Sequence, residues 1–155
     1  MPRFTASVTS SAALANGQVF AALVPAAAAN FKVLSVQAFV VNAVGAITDA
    51  DLAIGVNRGT ARGTQTATTT GERLDPNSAA SAITGMDTTW SVQPTLAAAD
   101  GRLVGLNTRG GYAAVFDETA IVSNVGTANP ICFVQRSGGA LPASHSIILT
   151  VTWFE

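Results

Sequence analysis

Charged residues are scarce in this chain. Asp, Glu, Lys and Arg make up 11% of its 155 residues, whereas an ordinary soluble domain has about 25%. Lys32 is the one lysine, and the other cations are arginines, which are enriched over lysine at protein interfaces. The deficit favours a surface that is covered in part by copies of the chain or by partner proteins. The alternative is an alanine-rich composition with no bearing on assembly.

Cysteine and histidine occur once each. A disulfide framework within the chain is therefore excluded, and a transition-metal site would need carboxylates for most of its ligands. Cys132 lies in the run I-C-F-V-Q, where we expect a small buried hydrophobe. No apolar run is long enough to cross a membrane, and residues 1–11 do not resemble a signal peptide. A net charge of −1 argues against a strongly basic nucleic-acid binder.

Polar and apolar residues alternate along much of the chain, which is typical of strands buried on one face. The clearest case is residues 144–155, since successive strand side chains point to opposite sides. Its fully apolar face consists of Ile147, Leu149, Val151 and Trp153. Further strands are predicted at residues 3–10, 18–24, 31–42, 52–56, 88–92, 102–107, 112–116, 120–125 and 131–136. This spacing is typical of a sandwich or barrel.

The pattern predicts one all-β domain over residues 1–155, an antiparallel, jelly-roll-like β-sandwich of about nine or ten strands. One short helix is predicted at residues 76–83, because Asp75 and Pro76 resemble an N-cap followed by proline at the first helical position. Residues 57–74 are predicted to form an arm or loop. Within that range the threonine-rich residues 64–70 fit either an extended arm or an edge strand.

The sequence N-R-G-T-A-R-G at residues 57–63 predicts a glycine-rich loop with two arginines. Such arginines can pair with carboxylates of a neighbouring subunit or with phosphates, and a solvated loop is the alternative. The glycine spacing and Lys-Ser/Thr pair of nucleotide-binding loops are missing. Phe154 is also predicted to be an interface residue, because a second subunit could cover the face of the last strand on which it lies. The predicted interface residues are Arg58, Arg62, Thr66, Thr68 and Phe154.

No group of residues has the pattern of a catalytic site. His145 would have to serve any Ser-His-Asp arrangement, yet no G-x-S-x-G turn is present, and we expect a strand-end histidine with a polar partner. Asp49 and Asp51 could offer oxygens to calcium, but they lack the further carboxylates and glycine of a calcium loop. Asp117 and Glu118 are adjacent and would point to opposite faces of a strand. No catalytic, cofactor-binding or metal-binding residue is predicted, and the chain is not expected to be an enzyme.

Several stretches resemble small structural proteins of tailed bacteriophages and related environmental viruses. They are A-I-T-D-A-D-L-A-I-G-V-N-R-G-T-A-R-G-T, L-D-P-N-S-A-A-S-A-I-T-G, N-P-I-C-F-V-Q-R-S-G-G-A-L-P-A-S-H-S and the closing T-V-T-W-F-E. The resemblance implies a β-sandwich virion protein, such as a capsid decoration or cement protein made in the host cytoplasm and carried on the capsid surface. Its expected partners are the major capsid protein and other copies of the chain, with a trimer favoured. No residue roles follow from it.

Two alternatives stay open at the level of sequence. The first is a receptor- or glycan-binding β-sandwich, such as a fibre head or a carbohydrate-binding module. It requires an exposed aromatic ring, Trp90 or Tyr112, over a groove with polar neighbours. The second is a major coat subunit, which differs from a decoration protein mainly in copy number.

Overall fold

The computed structural model describes residues 2–25, 31–42, 45, 48–81, 83, 85–115 and 129–155. Over these residues the chain forms two antiparallel sheets and no helix, so the predicted all-β sandwich is confirmed. The strands are β1 (Arg3–Thr9), β2 (Val19–Leu23), β3 (Lys32–Asn42), β4 (Asp51–Ala61), β5 (Thr64–Thr69), β6 (Glu72–Arg73), β7 (Met86–Val92), β8 (Thr95–Leu96), β9 (Arg102–Asn107), β10 (Gly111–Val115), β11 (Ile131–Gln135) and β12 (His145–Phe154). No membrane-spanning helix occurs among the described residues.

Sheet A contains five strands in the order β10-β3-β12-β1-β6. β12 lies at its centre and pairs with β3 on one side and with β1 on the other. The apolar face predicted for residues 144–155 forms part of the core, since all four of its side chains are fully buried. The Trp153 ring stacks on Phe4 of β1, with 6.0 Å between ring centroids.

Sheet B has the order β5-β7-β2-β11-β4-β8, and β9 also pairs with β4. Its inner face packs in the main core, and its outer face has a smaller apolar cluster of Val19, Ala22, Cys132 and Val134. Trp90 and Leu96 cover that cluster. The strands β2 and β11 are therefore buried on both faces, and Cys132 is the buried hydrophobe that the sequence predicts.

The end of β12 is held by the carboxylate of Glu155. Its Oε1 accepts a hydrogen bond from the indole Nε1 of Trp153 at 3.3 Å and another from the hydroxyl of Ser81. The same oxygen lies 3.4 Å from the backbone nitrogen of Ile83, which donates to it. These bonds fix Ser81 and Ile83 against the last strand.

The predicted helix at residues 76–83 is wrong. The Asp75 side chain accepts from the backbone nitrogen of Asn77 at 2.9 Å, and the Asp75 carbonyl accepts from that of Ser78. The cap therefore forms, but it closes a single turn. Residues 76–81 are exposed or half-buried, so no burial offsets the cost of nucleating a helix.

The predicted loop at residues 57–63 is wrong for residues 57–61, because β4 continues through Arg58 to Ala61. Only residues 62–63 form a connection, which leads to the next strand. Gly59 serves close packing here, since an added Cβ would lie 2.5 Å from Cγ of Pro130. Residues 64–69 form the edge strand β5, paired with β7. The strand predicted at residues 120–125, with Asp117 and Glu118, falls outside the described residues.

Candidate interaction surface

Among the described residues, the outward face of sheet A carries no charged side chain in the rows that cross its three central strands. Three rows run across β1, β12 and β3 in register: Thr5–Thr152–Ser35, Ser7–Thr150–Gln37 and Thr9–Ile148–Phe39. Strand β10 adds Val115 beside Ser35 and Ala113 beside Gln37. We call these eleven residues the sheet A face. They alternate along the strands with core residues, so the same periodicity that builds the core also builds this face.

Two of the largest exposed apolar side chains lie on the sheet A face. Phe39 is 44% exposed and Val115 is 78% exposed. Among the described residues, charged groups flank these rows: Glu72 of β6 lies beside Thr5, and Arg3, Phe154 and Lys32 form one row at the end of the sheet. The Lys32 ammonium nitrogen lies 5.7 Å from the centroid of the Phe154 ring. Phe154 therefore points outward as predicted but is already buried, and its contact with a neighbour stays a prediction.

The size of sheet A suits a protein contact. Its strands contain 7, 11, 2, 5 and 10 residues, and each residue occupies about 16 Å² of sheet at a spacing of about 4.8 Å and a rise of about 3.4 Å. The projected area is then about 570 Å², and the accessible area of a corrugated surface is larger. A standard interface buries about 800 Å² per partner, so the whole outward side of sheet A, of which the sheet A face is the uncharged middle, could supply most of one.

Arg62 is held within the chain by a buried carboxylate. Its Nε and Nη2 donate to the two oxygens of Asp87 at 2.7 and 2.9 Å, and the Thr68 hydroxyl donates to Asp87 at 2.8 Å. Asp87 is fully buried, and its hydrogen bonds raise the pKa of Arg62 above the usual value despite the opposing effect of burial. The sequence prediction missed Asp87, although a carboxylate inside a strand run is a signal for a buried partner.

The other predicted interface residues have separate environments. The Thr66 and Thr89 hydroxyls are 2.6 Å apart and share a hydrogen bond between β5 and β7. Arg58 is exposed on β4, and its side chain has no partner among the described residues. The structure thus brings Arg62 and Thr68 together at Asp87, and it places Arg58 and Phe154 elsewhere.

A second arginine–aspartate pair closes the outer surface of sheet B. Arg136 donates to both oxygens of Asp100 at 3.0 Å, and Asn57 donates to the same carboxylate at 2.8 Å. Burial raises the pKa of Asp100, but the hydrogen bonds from Arg136 and Asn57 and the Arg136 charge outweigh it, so the net pKa is lowered. An added Cβ at Gly55 would lie 2.7 Å from this carboxylate. The ion pair is therefore packed closely against β4 and has a structural role.

The remaining candidates for chemistry have structural partners. His145 is buried, with its Nε2 accepting from the Thr48 backbone nitrogen and its Nδ1 beside the Ala143 carbonyl, both at 3.0 Å. The predicted strand-end histidine with a polar partner is thus confirmed. Asn107 donates to Asp49 at 2.7 Å and to Asp51 at 3.4 Å. In the described part of the chain, no three His, Cys, Asp or Glu residues are grouped as metal ligands would be.

The two aromatic rings proposed for glycan binding are both half-buried. Tyr112 packs against the main core. Trp90 lines a pocket of about 200 Å³ with polar neighbours. The polar groove of the glycan-binding alternative is therefore present beside Trp90, but the exposed aromatic ring that it also requires is not found at either residue.

Comparisons with models of known protein families, with curated proteins and with solved structures give no significant match.

Proposed function

We propose that this chain is a non-enzymatic virion structural protein, a decoration or cement protein that stabilises a capsid shell. It would act from the capsid surface, after synthesis in the host cytoplasm, through contacts with other copies of itself and with the major capsid protein. A trimer is the favoured assembly. The observation that carries the proposal is the sheet A face, an uncharged surface on a rigid sheet.

The chemistry of the sheet A face supports protein contact. Covering a charged side chain is costly unless it is paired, whereas hydroxyl groups need only a hydrogen-bond partner. The face offers Ser and Thr hydroxyls around the apolar side chains of Phe39 and Ile148. Interface cores are likewise depleted in charge and enriched in aromatic residues. A surface of this composition therefore fits a lasting contact with a copy of the chain.

The experiment that tests the function is quantitative mass spectrometry of particles purified from infected host cells. We expect the chain in a fixed ratio to the major shell protein. Its absence from particles would contradict the proposal. A ratio equal to that of the shell lattice itself would identify a major coat subunit instead.

A matched pair of variants tests whether the sheet A face makes the contact. Phe39→Asp places a charge on this face, and Leu103→Asp places one on β9 of sheet B, where Leu103 is 63% exposed. We expect Phe39→Asp to be lost from particles and Leu103→Asp to be retained. Equal retention of both variants, with both folded, would exclude the sheet A face as the contact.

A further inference from the structure

Strand β7 leaves its neighbour β2 after two residue pairs. The two strands pair only at Ala22–Asp87 and Leu23–Met86, while the other edge of β2 pairs with β11 back to Val19. At the far end, the gap is bridged by a side chain: the Gln93 Oε1 accepts from the Val19 backbone nitrogen at 3.1 Å. The space between these two closures is the Trp90 pocket, of about 200 Å³.

The described residues that line the Trp90 pocket are uncharged, and most of them have polar side chains. The polar side chains are those of Ser11, Gln18, Thr88, Thr89, Trp90 and Gln93, and the apolar ones are those of Leu14, Val19 and Phe20. None of these described residues is ionisable, so they offer no charge that would hold an anion or a cation. The volume corresponds to about six or seven waters at ~30 Å³ each, which is smaller than the ~300–1,000 Å³ of a typical drug-sized site.

Hydrogen-bond donors in this pocket lack acceptors. The Gln18 Oε1 accepts from the Ala15 backbone nitrogen at 3.1 Å, as Gln93 does from Val19. Both carbonyl oxygens therefore already accept a hydrogen bond, and neither side-chain NH₂ group has a partner among the described residues. Gln93 is exposed and Gln18 is half-buried, so these two groups are open to solvent and to a ligand. The indole Nε1 of Trp90 is buried and also has no partner in the described part of the chain. An unpaired buried donor is unusual in a native structure and calls for an explanation.

We propose that the Trp90 pocket binds a neutral, polyhydroxylated ring the size of one sugar residue. Its oxygens would accept from the Gln18 and Gln93 amides, and a rotation of the Trp90 side chain would bring the indole N–H to a third oxygen. The hydroxyls of Ser11, Thr88 and Thr89 can donate or accept, so they complement a ligand that does both. The indole supplies the flat apolar surface that the C–H face of such a ring requires.

The test is a titration of the full chain, labelled with ¹⁵N, with methyl glycosides of common hexoses and of N-acetylglucosamine. The chain has two tryptophans, so two indole N–H signals are present, and Trp90→Phe assigns them by removing one. We expect one glycoside to shift the Trp90 signal saturably and to leave the buried Trp153 signal in place. A ligand of about twelve non-hydrogen atoms implies a dissociation constant on the order of 1 mM.

Two control variants distinguish specific binding in the Trp90 pocket from nonspecific effects of added glycoside. In Trp90→Phe, followed through the side-chain amide signals of Gln18 and Gln93, binding should weaken at least about five-fold, as expected for one lost hydrogen bond. Tyr112→Phe, on sheet A, should leave it unchanged. No saturable shift with any glycoside overturns the proposal. So does saturable binding of a short uncharged peptide alone, since its carbonyls would satisfy the same donors in another way.

Discussion

Replacing Arg62 with methionine should strongly destabilise the fold, because it leaves a buried carboxylate without its main partner. Asp87 is fully buried, and two of its three side-chain hydrogen bonds come from Arg62. Removing one member of a buried ion pair typically costs about 3–5 kcal/mol. The Arg62 side chain is 27% exposed to solvent, so we expect a loss at the lower end of this range, about 3 kcal/mol.

Urea unfolding, followed by tryptophan fluorescence, measures this loss. With a slope of about 2 kcal/mol per molar urea, the midpoint should fall by about 1.5 M. Arg58→Met is the matched control, since it removes an exposed arginine of β4, four residues before Arg62, and should change stability by no more than about 0.5 kcal/mol.

The double variant Arg62→Met with Asp87→Asn gives the decisive comparison. Because the second change removes the buried charge, the double variant should be more stable than Arg62→Met alone. A loss below about 1 kcal/mol for Arg62→Met would refute the reasoning, since exposed ion pairs contribute that little. So would a double variant whose loss is the sum of the two single losses.

Three further outcomes are expected. Burial, and then the charge of Asp87, raise the pKa of the Cys132 thiol to about 12. An unfolded thiol ionises near ~8.5, so stability should fall above that pH, by about 2 kcal/mol at pH ~10; an equal fall in Cys132→Ala, by urea unfolding, would contradict this. Gly63→Ala should cost at least about 2 kcal/mol, because the φ of Gly63 is +75° and the new Cβ would lie 2.3 Å from the Val92 carbonyl oxygen. Gly138 has a similar φ of +78°, but no atom lies within 4 Å of the position of an added Cβ, so Gly138→Ala should cost only about 1 kcal/mol in thermal unfolding. Equal costs for the two variants would disprove the clash at Gly63. Glu155→Ala should lower the free energy of unfolding by about 1–3 kcal/mol, since it leaves the Trp153 indole and the Ser81 hydroxyl without their acceptor. An unchanged melting temperature would show that Glu155 does not stabilise the end of the last strand.

The strands of the core could be predicted because their signal is local. In β12, alternation alone assigns Ile147 and Trp153 to the core and Ile148 to the opposite face, and the structure agrees. The same holds for Cys132 in β11, which lies in an almost wholly apolar run. The β12 residues follow the period of the strand, and Cys132 follows from the apolar run around it, so no knowledge of a partner strand is needed.

The errors arose where distant contacts decide the structure. Gly59 suggested a flexible loop, but it is a strand position at which only glycine fits against Pro130. Asp75 formed its cap, but residues 76–80 after it are exposed or half-buried, so little burial supports a helix there. The pairing of Arg62 with Asp87 joins residues 25 positions apart, and their sequence positions alone do not reveal it. For the same reason the Trp90 pocket could not be foreseen, since it depends on where β7 leaves β2.

The molar mass of the chain in solution tests the central claim, that the sheet A face is covered by another copy. Light scattering at micromolar concentration should give a multiple of the 15.7 kDa chain mass, with three chains favoured. Phe39→Asp should reduce it to a single chain, and Leu103→Asp should leave it unchanged. A wild-type mass of 15.7 kDa would contradict the claim.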